Sequence, residues 1–274
     1  MSCRLRRERE ADLTGGNDMF KDEAAAVCNT ARGKLNLLEK NPAGYLMMSM
    51  LAGLFIGLGS ILMGTVGGLF TAGGAYSTRL INGLVFSVGL CLVTMAGAEL
   101  FTGNNFVMAV AGFRKTESWG KIVKLWVICW IGNLIGSVIT AAIFTGTGLA
   151  TGDIGTYMAN LAVTKASGGV IDLFAKAVMC NICVCLAIWC GAKMKSEGGK
   201  IAMNICCVVT FVTCGFEHSV ANMTFFAVGL MNPNGMAISI GGVIMNLIVV
   251  TIGNMIGGIV CVALPYYLIS KDKQ

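Results

Sequence analysis

Charge is what this 274-residue chain has least of: 12% of its residues are Asp, Glu, Lys or Arg, against 55% hydrophobic. No charged side chain falls between Lys40 and Arg79, between Lys124 and Asp153, or between His218 and Lys271. Each gap holds an apolar run of about 20 residues or more, enough to cross a bilayer, which excludes an ordinary soluble domain. Histidine is almost missing too, with His218 alone. Without His-Glu-x-x-His or Gly-x-Ser-x-Gly, the chain lacks the residues of a zinc or serine hydrolase, so an enzyme is not expected. The paired Asn-Pro-Ala signatures of aquaporin-type channels are absent, and Asn232-Pro233-Asn234 reads as a lone turn. The first residues have no apolar core: Arg4, Arg6, Arg7 and Arg9 lead into polar sequence, unlike a secretory signal.

Against that background two glutamates stand out. Glu99 lies in Gly97-Ala98-Glu99-Leu100-Phe101-Thr102-Gly103-Asn104, and Glu217 in Gly215-Phe216-Glu217-His218-Ser219-Val220-Ala221-Asn222. Both read Gly-x-Glu-x4-Asn inside apolar runs, where an ionisable group is expensive and therefore a candidate for function. A second duplication joins them, Ile131-Gly132-Asn133-Leu134-Ile135-Gly136 reappearing as Ile252-Gly253-Asn254-Met255-Ile256-Gly257. The two motif pairs are offset by 118 and 121 residues. Spans one to three are therefore expected to duplicate as spans four to six, and an odd number per copy inverts the second.

The expected architecture is all-α: spans near 43–66, 79–112, 119–145, 166–192, 201–231 and 237–269, with repeats of about 43–145 and 166–269. A tail of residues 1–42 precedes the 43–270 membrane domain, and 271–274 close the chain. Seventeen of the twenty Lys and Arg fall in the tail, in the turns after spans two and four, and at the end; Arg79, Lys165 and Lys176 are the remainder. By the positive-inside rule both termini are expected to be cytoplasmic, in the cell inner (plasma) membrane. Topology thus accounts for the net charge of +6 without a nucleic-acid partner. Spans two and five are too long for one crossing, which predicts helices broken at Leu100 to Asn104 and near Glu217 to Asn222. A break frees backbone groups that hydrocarbon cannot satisfy. Glu99, Thr102, Asn104, Glu217 and Asn222 are their expected partners, so the glutamates read first as structural ties.

Most of the twelve cysteines lie inside spans. Cys180, Cys183 and Cys185 have metal-like spacing, but no histidine is near, and the reading is small apolar packing with no metal and no cofactor. Gly53-x3-Gly57, Gly132-x3-Gly136 and Gly253-x3-Gly257 are small-x3-small seams that together predict a tightly packed bundle, with room for a subunit interface. In the tail, Phe20, Val27, Ala31, Leu35 and Leu38 at helical spacing predict an amphipathic helix on the cytoplasmic face. Asp172 and Lys176, four apart, are expected to pair, and counted along one helix they share a face with Lys165.

The residues 98–104, Asn181-Ile182-Cys183-Val184-Cys185-Leu186-Ala187-Ile188-Trp189, and Gly215 to Met223 resemble the formate/nitrite transporter family, over about residues 40–269. The resemblance implies an aquaporin-like six-span protomer in a homopentamer, one pore each, passing small monovalent anions of weak acids: formate, nitrite or hydrosulfide. It implies roles residue by residue. Thr102, in the loop breaking span two, matches the gating threonine and His218 the central pore histidine. Lys165 matches the vestibule lysine and Asn181 its partner. Phe86, Leu90, Leu100, Phe101 and Phe211 match apolar constrictions. Gly103 and Asn104 depart from the serines of formate channels, and a glycine there is expected to loosen the loop.

An anion does not cross an apolar ring cheaply, because stripping its water costs many kcal/mol. The expected remedy is that Lys165 attracts the anion by Coulomb force, backbone N–H groups and Thr102 replace water, and His218 supplies or shares a proton. A proton-coupled secondary transporter of the same anions is the alternative, since inverted repeats and broken helices serve alternating access as well. The sequence does not discriminate among the three anions, although abundant thiols suit a reducing setting.

Overall fold

The computed structural model describes residues 20–271; Arg4, Arg6, Arg7, Arg9, Cys3 and Lys273 lie outside them. Every regular element described is helical: α1 Lys21–Lys40, α2 Pro42–Ala72, α3 Thr78–Leu92 with a π turn Val93–Gly97, α4 Phe101–Phe113, α5 Trp119–Gly146, α6 Gly152–Ala166, α7 Val170–Lys193, α8 Glu197–Thr213, α9 Ser219–Met231, and α10 Ile240–Gly258, which runs through a π turn Ile259–Ala263 into α11 Leu264–Ser270.

Among the described residues, five stretches are long and apolar enough to cross a membrane: Pro42–Ala72, Thr78–Gly97, Trp119–Gly146, Val170–Lys193 and Ile240–Ser270. The fifth stretch, expected at 201–231 with a break near Glu217 to Asn222, is two short helices, α8 and α9, separated by residues 214–218. The expected fourth span begins later, at Val170, because α6 is a separate helix. Lys165 lies on α6, so its supposed shared face with Asp172 and Lys176 does not exist; the pair itself forms, Nζ to Oδ2 at 2.7 Å. Proline and asparagine start α2: the Asn41 side chain accepts the Gly44 N–H at 2.9 Å, and Pro42 takes the first position, where no N–H is missed. The Asn-Pro-Ala of residues 41–43 is thus a helix cap.

The glycine seams lie within this chain. A methyl at Gly53 of α2 would strike the Asn133 carbonyl of α5, and one at Gly136 of α5 would strike the Met50 carbonyl of α2, so backbone lies on backbone. Gly253 and Gly257 of α10 meet Phe174 and Val178 of α7 in the same way. α1 lies against this bundle with Val27, Ala31, Leu35 and Leu38 buried. Its start is fixed by Phe20, whose ring meets Trp189 edge-on at 5.6 Å and lies under the Lys193 ammonium at 4.3 Å.

Candidate functional site

The repeated Gly-x-Glu frame becomes a repeated backbone event. Gly97 and Gly215 hold φ of 81° and 76°, values an L residue adopts only under strain, and each turns the chain out of a helix just before its glutamate. The chain re-enters helix at Phe101 and at Ser219. The first departure from helix is therefore Ala98–Leu100, earlier than the expected Leu100 to Asn104. Thr102, Gly103 and Asn104 sit in the first turn of α4, not in a loop. Gly103 loosens nothing: it is helical, and a methyl there would meet Ile188 at an ordinary 3.6 Å.

Each interruption is stapled by a buried asparagine from the second motif. Asn133 accepts the Phe101 N–H at 2.9 Å and donates to the Ser49 and Glu99 carbonyls at 2.7 and 2.8 Å. Asn254 accepts the Ser219 N–H at 2.9 Å and donates to the Ala177 and Glu217 carbonyls at 2.8 and 2.9 Å. Backbone groups freed in apolar surroundings must find partners; each amide closes two of them and ties them to a carbonyl of a neighbouring unbroken helix, Ser49 of α2 or Ala177 of α7. Thiols help: Cys129 donates to the Glu99 carbonyl at 3.1 Å and Cys185 to the Thr102 carbonyl at 3.6 Å.

The glutamates hold helices and cations together. Glu217 accepts from Lys165 at 2.8 Å and from Asn222 at 2.6 Å. Glu99 accepts from Asn104 at 2.8 Å, Tyr45 at 3.2 Å and Lys34 at 2.6 Å. Lys34 comes from α1 and was not singled out in the sequence, where it is one of eight basic residues in the tail. Asn133, Asn254 and Tyr45 were also missed as site residues. The signal for the asparagines was present: a repeated amide inside an apolar span must have a partner. Lys165 bonds Glu217, while the Asn181 amide goes elsewhere, to the Thr102 and Asn254 carbonyls at 3.2 and 2.7 Å and to Asn105 at 3.3 Å.

Thr102 and His218 meet at the two helix starts, Oγ1 to Nε2 at 3.0 Å, both buried. The His218 Nδ1 accepts the Ala221 N–H at 3.2 Å and so caps α9. A ring nitrogen that accepts carries no proton, so the neutral ring holds its proton on Nε2 and donates it to Thr102. The Thr102 hydroxyl proton is then available to a third group.

His218 lines one cavity beside this pair, and Leu100 and Gly103, the neighbours of Phe101 and Thr102, line another. One, of about 230 Å³, is lined by Arg79, Lys165, Lys176, Glu217 and His218 together with Phe86 and Phe211. The two phenylalanines meet edge to face at 6.0 Å, and Phe211 stacks on His218 at 5.9 Å. The other, of about 550 Å³, is lined by Lys34, Glu99, Leu100, Asn104 and Asn204. Leu90 and Phe101 are buried at 2% exposure. A lysine–glutamate pair lines each cavity, two helices begin beside them, and the Phe86 and Phe211 rings share the Lys165 cavity; helix N-termini and cations are features suited to a small anion.

Comparison with known proteins agrees. A family model described as formate/nitrite transporter matches residues 21–268. The nitrite transporter NirC of Salmonella typhimurium is 34% identical over 259 residues, covering 93% of this chain and 94% of that protein. Among solved structures, an FNT family ion channel superposes with a TM-score of 0.86 at 32% identity, over 91% of this chain and 99% of the other. A pentameric formate channel with formate bound gives 0.71 at 29% identity, over 84% and 98%. The chain belongs to the formate/nitrite transporter family.

Proposed function

We propose that this chain is a channel for small monovalent anions of weak acids, formate, nitrite or hydrosulfide, one pore per six-span protomer. Five such protomers form a homopentamer in the cell inner (plasma) membrane, both termini cytoplasmic. The likeness to a pentameric formate channel supports the assembly. The twofold recurrence of Gly97/Gly215, Glu99/Glu217, Asn104/Asn222 and Asn133/Asn254 in matching hydrogen-bond roles supports an inverted 3+3 repeat with its second and fifth spans broken.

The observation that carries the reading is the Thr102–His218 bond where the two interrupted helices begin, with a lysine–glutamate pair in each flanking cavity. Those pairs revise the expected electrostatics. A lysine 2.8 Å from a carboxylate is neutral at long range, so Lys165 cannot draw anions as a bare charge. Arg79 makes no ion pair with any described residue, and it supplies the long-range attraction to the Lys165 cavity. Lys165 acts at contact, through the ammonium protons that Glu217 leaves free.

The capping bond revises the proton relay as well. An imidazolium would bear a proton on Nδ1, facing the Ala221 N–H donor to donor. His218 therefore works as a neutral donor that fixes Thr102, whose hydroxyl bonds the permeating species at the centre. The anion takes its proton from a hydronium in the vestibule before the Phe86–Phe211 pair and gives it back to water beyond Leu100, so the apolar segment is crossed as the neutral acid. Asn181 and Asn222 hold the backbone and carboxylate that frame the passage.

Stopped-flow flux in proteoliposomes tests this with formate, nitrite, hydrosulfide, chloride and glycerol, from about pH 5 to pH 8. Weak-acid anions alone are expected to pass, faster as pH falls. Equal passage of chloride or glycerol would refute the reading. Accumulation of formate against its gradient under an imposed pH gradient would favour the proton-coupled transporter instead.

A further inference from the structure

Arg79, Asn82 and Phe86 follow one another at three- and four-residue spacing on α3, so they stack on one face, and all three line the Lys165 cavity. Asn82 is 2% exposed. Its Nδ2 donates to the Tyr157 hydroxyl at 2.9 Å, while its Oδ1 is buried without a hydrogen-bond partner among the described residues. A buried amide oxygen left open calls for a bound donor. Tyr157, from α6, accepts from Asn82, so its own proton is free for the cavity it also lines. Space for the pair is built in: a methyl on Gly67 would lie 2.9 Å from the Asn82 Nδ2 and overlap the Tyr157 ring.

We propose that Asn82 and Tyr157 form a binding subsite for the undissociated oxyacid, on the outer side of the Phe86–Phe211 pair. The subsite offers one acceptor and one donor and no charge of its own. An anion presents only acceptors, which the Asn82 oxygen repels. A neutral oxyacid presents both complements: its O–H to the Asn82 Oδ1 and its C=O or N=O oxygen to the Tyr157 O–H. Hydrogen sulfide fits poorly, because its S–H is a weak donor and its sulfur a weak acceptor. The chemical step is X⁻ plus hydronium giving HX plus water, so neither side chain changes charge. The charged and titratable groups facing the subsite are Arg79 on α3, Lys165 on α6, Lys176 on α7, and Glu217 and His218 before α9. This inference rests on the proposed function and adds a preference for formate or nitrite over hydrosulfide.

The test is flux against concentration at fixed pH, in proteoliposomes, for wild type, Asn82→Leu and Tyr157→Phe, with formate and with hydrosulfide. For formate, half-saturation is expected to rise roughly tenfold in each variant at similar maximal flux, and for hydrosulfide less than about twofold, since a site built to pair an O–H discriminates by that group. Unchanged formate half-saturation, an equal rise for both substrates, or a fall in maximal flux alone would overturn the subsite while leaving the channel reading intact. Absence of weak-acid flux in wild type would sink both. Should Asn82→Leu fail to assemble, Tyr157→Phe, which removes one oxygen, decides.

Discussion

Lys165→Met is expected to lower the melting temperature of the detergent-solubilised protein by about 6 to 20 °C. The ammonium lies 2.8 Å from Glu217 Oε1, with side chains only 13% and 9% exposed. Removing one partner of such a pair leaves a buried charge and costs about 3–5 kcal/mol. For a chain of this size each kcal/mol moves the transition by roughly 2–4 °C. Adding Glu217→Gln removes the stranded charge while keeping an oxygen for the Asn222 amide, so the double variant should recover at least half of the loss. Flux separates structure from function in the same proteins. If the lysine serves only to neutralise Glu217, the double variant regains transport. If its ammonium touches the anion, as proposed, the double variant stays slow despite its restored stability. A Lys165→Met protein melting within about 2 °C of wild type would refute the reasoning, because the charge would then be solvated and not buried.

Arg79→Gln should slow formate uptake severalfold at low ionic strength and match wild type near 0.5 M salt, where the Debye length falls to about 4 Å; a salt-independent deficit would remove Arg79 as collector. Asn133→Ala and Asn254→Ala each take the asparagine partner from two backbone groups of an interruption and should each cost about 2 kcal/mol or more, read as a lower melting temperature. Similar losses for the two variants are expected, since their bonds are matched one for one. Thr102→Val keeps the shape but drops the hydroxyl beside His218, and should reduce flux about 100-fold, with Thr102→Ser near wild type; transport unaffected by Thr102→Val would exclude the hydroxyl from the pathway.

Much of the site was legible because the membrane makes polar residues conspicuous. Glu99, Glu217, Asn104, Asn222 and His218 stand in apolar runs, and each is buried with a partner. Lys34 was not legible: in a tail with eight basic residues, nothing local marks the one that reaches into the bundle to meet Glu99. Asn82 was passed over for the opposite reason, since one amide at a span's edge is unremarkable until its oxygen is seen to lack a partner. The helix restarts were misplaced by a few residues because composition reports where a span must break, whereas the positive φ of Gly97 and Gly215 fixes where it does.

By itself the sequence determined the apolar spans, the duplicated motifs and the placing of an asparagine five residues after each glutamate. These are local or periodic properties, written by hydrophobicity and by the cost of polar groups in hydrocarbon. Only the tertiary structure decided which lysine faces which glutamate, that asparagines from other helices close the interruptions, and that Thr102 and His218, 116 residues apart, share one hydrogen bond. Those contacts join positions distant along the chain, and their geometry follows from helices crossing at glycines, which no single segment encodes.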